Sequence, residues 1–241
     1  MRPLSAAELL DAWERGLEQP RALRMLGVLA AASPDCPADA VASLSIGARD
    51  RRLLQIRAWA FGAQLLSIAA CPACRERVEW RIDAIDLLAR GDATSDVGEL
   101  CLDLNGHTVR FRLPNSLDLA AASACADVSS ARRVLIDRCV ADATPALDDG
   151  VPPEIADALA ARMEQADPGV EAEFALTCPA CAHAWTVAFD IESFFWTELH
   201  AWAQRTLNDV HTLARAYGWR EADILAMAAS RRHTYLGFIG A

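Results

Sequence analysis

Two stretches of equal length decide the reading of this chain: residues 64–88, QLLSIAACPACRERVEWRIDAIDLL, and residues 171–195, EAEFALTCPACAHAWTVAFDIESFF. Each carries a Cys-Pro-Ala-Cys knuckle, Cys71 to Cys74 in the first and Cys178 to Cys181 in the second. A short strand is expected before each knuckle, Leu65 to Ala70 and Glu171 to Thr177, apolar over Leu66 to Ala70 and Phe174 to Thr177. Alternating runs follow, Val78 to Ile82 and Trp185 to Phe189, and period-two alternation is the mark of a half-buried strand. An Asp then stands nine residues past the second Cys in both copies, Asp83 and Asp190. Asp is a good helix N-cap, because its carboxylate accepts the orphan N–H groups of the first turn. Apolar pairs follow at Leu87-Leu88 and Phe194-Phe195. The pattern is strand, knuckle, strand, Asp cap and helix, repeated.

Two CxxC pairs supply four thiolates, the number that tetrahedral Zn²⁺ takes in a structural site. The predicted ligands are Cys71, Cys74, Cys178 and Cys181, holding one structural Zn²⁺ in a small antiparallel zinc ribbon. Positions 75–177, 103 residues, intervene, so space and not sequence must join the halves. A thioredoxin-type dithiol is the rival reading, but that motif opens a helix of a βαβ unit, and here strands flank both pairs. In ribbon knuckles the residue after the second Cys is often Gly; here it is Arg75 and Ala182. His183 could replace a thiolate and is read as a surface residue. Cys36, Cys101, Cys125 and Cys139 are read as bystanders.

Outward from the knuckles, helices are expected at 5–17, 20–32 and 48–61, with Ser5 and Glu8 in capping-box positions. In the third helix Leu53, Leu54, Ile56, Ala60 and Phe61 form the inward face, and Arg49, Arg51, Arg52 and Arg57 the remainder. Residues 84–90 are a helical turn and 91–97 a polar loop. Runs 100–104 and 109–113 around Asn105-Gly106 predict a hairpin, because both turn residues need positive φ. Helices are expected at 116–124, 129–141 and 154–166, with a linker at 142–153. A long helix at 191–217 ends at Gly218, and two short helices follow at 220–228 and 231–239. The organisation is then an N-terminal helical region 1–62, ribbon halves 63–90 and 170–190, an inserted hairpin and helices 98–166, and a C-terminal helical region 191–241. The fold class is α+β, mainly α-helical.

The chain has 241 residues, 33 acidic and 23 basic, for a net charge of −10. Every base is Arg. Such a charge argues against nucleic-acid or anionic-membrane binding, which rest on positive potential. No run is long and apolar enough for a membrane span, and the start of the chain breaks into acids too early for a secretory leader. A reducing cytoplasm is the expected compartment, where eight cysteines mean thiols or metal ligands. His200 and His211 share a helix face but stand ~16 Å apart, too far to chelate one ion. HExxH, GxSxG, GxGxxG and Walker-type motifs are absent, and a four-thiolate site leaves no open position for metal catalysis. No small-molecule substrate is implied.

Residues 211–239, HTLARAYGWREADILAMAASRRHTYLGFI, and 48–88, ARDRRLLQIRAWAFGAQLLSIAACPACRERVEWRIDAIDLL, resemble a baseplate protein family. Its members occur in T-even-type contractile phages and phage-tail-like contractile injection systems, some with cysteine knuckles. The resemblance covers roughly 49–88 and 174–239, and the middle more loosely. It implies a non-enzymatic structural or assembly role, with other baseplate or tail proteins as partners. In the C-terminal region Trp202 and Trp219 are the candidate apolar anchors or the core beneath them, and Arg231 and Arg232 the charged rim. A zinc-ribbon adaptor in transcription or nucleic-acid handling, or a CxxC dithiol oxidoreductase, would be the alternatives.

Overall fold

The computed structural model describes residues 1–90, 98–147, 150–167 and 172–239. The polar loop expected at 91–97 lies outside the described residues. The architecture is α+β and mainly helical, with small antiparallel sheets. In chain order, α1 is Ala6–Leu17, α2 Leu26–Ala32, α3 Ala38–Ala42 and α4 Ile46–Phe61. Hairpin β1 (Gln64–Ala70) and β2 (Arg77–Asp83) leads into α5, Ala84–Arg90. Strands β3 (Leu100–Leu104) and β4 (His107–Phe111) precede α6 (Ser116–Ser123), α7 (Val128–Cys139), β5 (Val140–Thr144) and α8 (Pro153–Ala166). Hairpin β6 (Ala172–Thr177) and β7 (Ala184–Phe189) leads into α9 (Ile191–Tyr217), followed by α10 (Glu221–Leu225) and α11 (Ala229–Ile239).

The local signals act as their chemistry requires. Ser5 and Glu8 form the capping box of α1. Gly218 ends α9 in the left-handed conformation, φ 70°, which glycine enters without a Cβ clash. Asn105 and Gly106 both have positive φ at the β3–β4 turn. The linker expected at 142–153 is wrong at its start: 142–144 belong to strand β5, Val140–Thr144, paired antiparallel to β4. Its two alternate faces are short, and the Pro and Asp residues that follow dominate the composition. The α3 turn carries no strong sequence signal and was not expected.

Among the described residues two buried clusters form. One joins α1, α2, α4, β1, β2, α9 and α10, through residues such as Leu29, Leu53, Leu65, Ile82, Phe195 and Leu213. The other packs Val109, Phe111, Ile136, Ile155 and Leu159 from β4, α7 and α8. An acid connects the second to the first. Asp167, just past α8, accepts a hydrogen bond from the Gly47 N–H at 2.8 Å and pairs with Arg51 at 3.5 Å. A Cβ at position 47 would stand 2.0 Å from Asp167 Oδ1, so this contact requires glycine.

The arginines of α4 correct the expected face. Arg49 and Arg57 are buried among the core residues. Arg49 pairs with Asp50 at 2.7 Å and Glu192 at 2.8 Å. Arg57 makes a fork to Glu198, 2.7 Å on each arm. Its Nη1 also donates to the carbonyls of Gly62 at 2.6 Å and Gln64 at 2.8 Å. These guanidiniums enter the interior because carboxylates of α9 neutralise them there; a buried charge survives only when paired.

Candidate metal centre

Each knuckle is built by the same hydrogen bonds. The Cys71 N–H donates to Glu76 O at 2.8 Å, and the Arg75 N–H donates to Cys71 O at 2.9 Å. The Cys178 N–H donates to His183 O, and the Ala182 N–H to Cys178 O, both at 2.9 Å. Closing so tight a loop forces the residue after the second Cys into the left-handed region, φ 67° at Arg75 and 58° at Ala182. These are the two positions where the sequence lacks the glycine common in ribbon knuckles. The turn forms anyway, with the steric cost that a Cβ brings there.

The strands hold the knuckles in register. β1 pairs antiparallel with β2, Leu65 opposite Ile82 and Ser67 opposite Trp80. β6 pairs antiparallel with β7, Phe174 opposite Val187 and Leu176 opposite Trp185. The two hairpins are separate sheets, and aromatic rings bridge them, Trp80 to Phe174 at 6.3 Å. Both cap positions behave alike. Asp83 Oδ1 accepts from the Ile85 N–H at 2.8 Å, and Asp190 Oδ1 accepts from the Glu192 and Ser193 N–H groups at 3.0 and 3.3 Å.

This scaffold brings the four cysteines together. Cys71 Sγ lies 3.7 Å from Cys181 Sγ, and Cys74 Sγ lies 3.5 Å from Cys178 Sγ. All four sulfurs fall within 4.8 Å of one another and could hold a metal ion. A disulfide would need about 2.05 Å. A tetrahedron with Zn–S bonds of about 2.3 Å has sulfur–sulfur edges of about 3.8 Å, so this donor set fits zinc in size and type. The contacts run between the knuckles, so an ion at the centre would tie one hairpin to the other.

The protonation pattern points the same way. Burial raises the Cys71 thiol, but the amides of Cys74 and Ala73 and the facing thiols of Cys74 and Cys181 bring it down to about 7. The amide of Glu76 favours the Cys74 thiolate, yet the crowd of Cys181, Cys178 and Cys71 pushes it up to about 12. Cys181 is raised too: its amide contact from His183 and the Cys74 thiol lower it, but burial and the Cys178 and Cys71 thiols prevail. One thiolate settles readily among these sulfurs. Four need a central cation to offset their repulsion.

The remaining residues singled out in the sequence are scattered. His183 stacks on Trp185, ring centroids 6.2 Å apart, and is outside the cysteine group. His200 Nδ1 accepts a hydrogen bond from Trp13 Nε1 at 3.1 Å, so it serves internal packing. Trp202 is half-buried, 6.1 Å from the Phe61 ring. Trp219 is half-buried and stacks on Tyr217 at 4.5 Å. Arg231 is exposed. Arg232 is not the free rim residue expected: it is 5% exposed, because α11 turns it towards α9. The Arg49–Glu192 and Arg57–Glu198 pairs were missed by sequence reasoning.

The family model of T4 bacteriophage base plate proteins matches residues 29–196. That segment contains both knuckles and the start of α9. The Tyr-Gly-Trp segment after it lies beyond the match. No curated protein and no solved structure matches the chain.

Proposed function

This chain belongs to the T4 bacteriophage base plate protein family, and from that premise we propose that it is a non-enzymatic structural or assembly component of a baseplate, in a contractile phage tail or a phage-tail-like injection system. One structural Zn²⁺, bound by Cys71, Cys74, Cys178 and Cys181, makes the two hairpins a single ribbon. The observation that carries this reading is the meeting of four sulfurs within 4.8 Å inside the matched segment. Four thiolates close the coordination sphere, so the metal supplies cross-linking rather than Lewis-acid chemistry.

The chain divides into a helical region 1–62, ribbon halves 63–90 and 170–190, an insert 98–166 and a C-terminal helical region 191–241; a buried cluster confined to the insert supports its separation, while the other regions share one core. The last region is the partner face for other baseplate or tail proteins. Trp202 and Trp219 are its aromatic anchors, and exposed Arg231 and His233 are its rim; an apolar centre with a charged edge is the usual build of such contacts. The test is the double substitution Arg231→Glu with His233→Glu. Both side chains are exposed, so the isolated protein should keep its melting temperature, surface changes usually costing under ~0.5 kcal/mol. Co-purification with tail proteins and particle assembly should be lost. Normal assembly by this variant would refute the C-terminal docking face.

A further inference from the structure

Arg232 is a buried cation that forms no ion pair with any described residue. It is 5% exposed. Among the described residues its only side-chain hydrogen bond runs from Nη1 to Met227 O, at 2.8 Å. Its Nε is buried without a partner, and no carboxylate of the described residues forms an ion pair with it. The contrast with the rest of the interior is sharp: Arg49 is paired with Asp50 and Glu192, and Arg57 with Glu198. An unpaired buried charge is costly unless something outside the chain neutralises it.

Arg232 forms part of the wall of an open groove of about 610 Å³ between α9 and α11, with Trp202, Arg205, Thr206, Asp209 and His233. Trp202 supplies an apolar surface. Arg205 and His233 add donors to those of Arg232, and Asp209 is the one acid among the described lining residues. With Nη1 held by Met227 O and Nε buried without a partner, the guanidinium edge made by Nε and Nη2 has no acceptor among the described residues. That edge matches the two oxygens of a carboxylate. A basic groove on a chain of net charge −10 stands out from its surroundings and would focus an anionic segment there. The same overall charge opposes pairing with a second copy.

We propose that this groove receives an acidic segment of a partner protein, one carboxylate side chain seated on Arg232 and a flanking apolar side chain on Trp202. This rests on the reading of the C-terminal helices as a docking face, and it names the chemistry of the partner. Arg232 is then part of the floor of the site, closed over when the ligand is absent.

The probe is a capped octapeptide of alternating leucine and glutamate, compared with its leucine–glutamine counterpart, titrated into the full chain while the Trp202 indole N–H is followed by NMR. The glutamate peptide should shift that signal. Replacing Glu by Gln in the peptide, or Arg232→Met in the protein, should weaken binding about thirtyfold, as loss of one desolvated charge pair does. Arg232→Met should melt no lower than the wild type, because the charge it removes is unpaired. Equal binding of the two peptides, no binding of the glutamate peptide at millimolar concentration, or a lowered melting temperature with unchanged peptide binding would overturn the proposal. So would a wild-type dimer that Arg232→Met dissociates, since the occupant would then be a second copy. If Arg231→Glu with His233→Glu stops assembly while both peptides bind alike, the docking face stands and the acid recognition falls.

Discussion

Cys71 Sγ lies 3.7 Å from Cys181 Sγ, although 110 positions separate the two residues. A contact of such sequence separation carries a loop-closure cost that grows slowly with length. Here it is made together with Cys74–Cys178, the Trp80–Phe174 contact and the Arg57–Glu198 fork, which draw the same two parts of the chain together. The knuckles are the outer end of this connection and the buried ion pairs its inner end.

Ala182→Gly should stabilise the protein by roughly 0.5–1 kcal/mol. Ala182 sits at φ 58°, where a Cβ costs about 1–2 kcal/mol, and glycine removes that cost at the expense of some chain entropy. Urea denaturation of the variant and the wild type decides it. A loss of stability would mean that the Ala182 side chain makes a contact the geometry does not reveal.

Arg57→Lys should destabilise by about 2–4 kcal/mol. Lysine keeps the charge but cannot make the fork to Glu198 and reach the carbonyls of Gly62 and Gln64 together. Glu198 is partly solvated, its side chain 31% exposed, which holds the loss below that of a fully buried pair. Denaturant melts at neutral pH provide the measurement, and an unchanged midpoint would show that the fork adds nothing.

Burial raises the Glu192 carboxyl above its ordinary 4.5, against the attraction of Arg49, while burial tends to lower Arg49 and its attraction to Asp50 and Glu192 raises it on balance. Burial decides for Glu192, whose Oε1 has no hydrogen-bond partner. A carboxyl raised in the folded state contributes stability fully present below its unfolded value and lost as pH rises through its folded value. The wild type should therefore gain stability relative to Glu192→Gln as pH falls from neutral towards 4.5. Chemical melts of both proteins at several pH values test the sign. A wild-type advantage that shrinks on acidification would show that Arg49 prevails.

Both hairpins, the knuckles, the Asp caps and helix α9 are legible in the sequence because each is specified within about ten residues of itself. The burial of Arg49 and Arg57 is not. Four arginines on one short helix read as a solvent face, and the acids that permit their burial are far along the chain, Glu198 being 141 positions from Arg57. Arg232 was misread for a related reason. A basic pair next to an apolar turn looks exposed, and only the packing of α11 on α9 shows which member turns inward. Strand β5 was hidden by the turn residues after it. The convergence of the cysteines was legible in kind, since two knuckles in repeated context imply a shared centre, while its geometry belongs to the tertiary fold.

The central claim is that one Zn²⁺ joins the two hairpins through four thiolates, and native mass spectrometry of freshly purified protein tests it most directly. The expected result is one zinc ion per chain, with the mass reduced by the protons that the thiols release. Cys74→Ser should lose the ion, and a chelator should lower the melting temperature steeply. Structural zinc supplies ~10–16 kcal/mol in small fingers, comparable to the whole net stability of a domain at about 5–15 kcal/mol. A metal-free chain whose melting is indifferent to chelator, with four readily titrated thiols at these positions, would contradict the account.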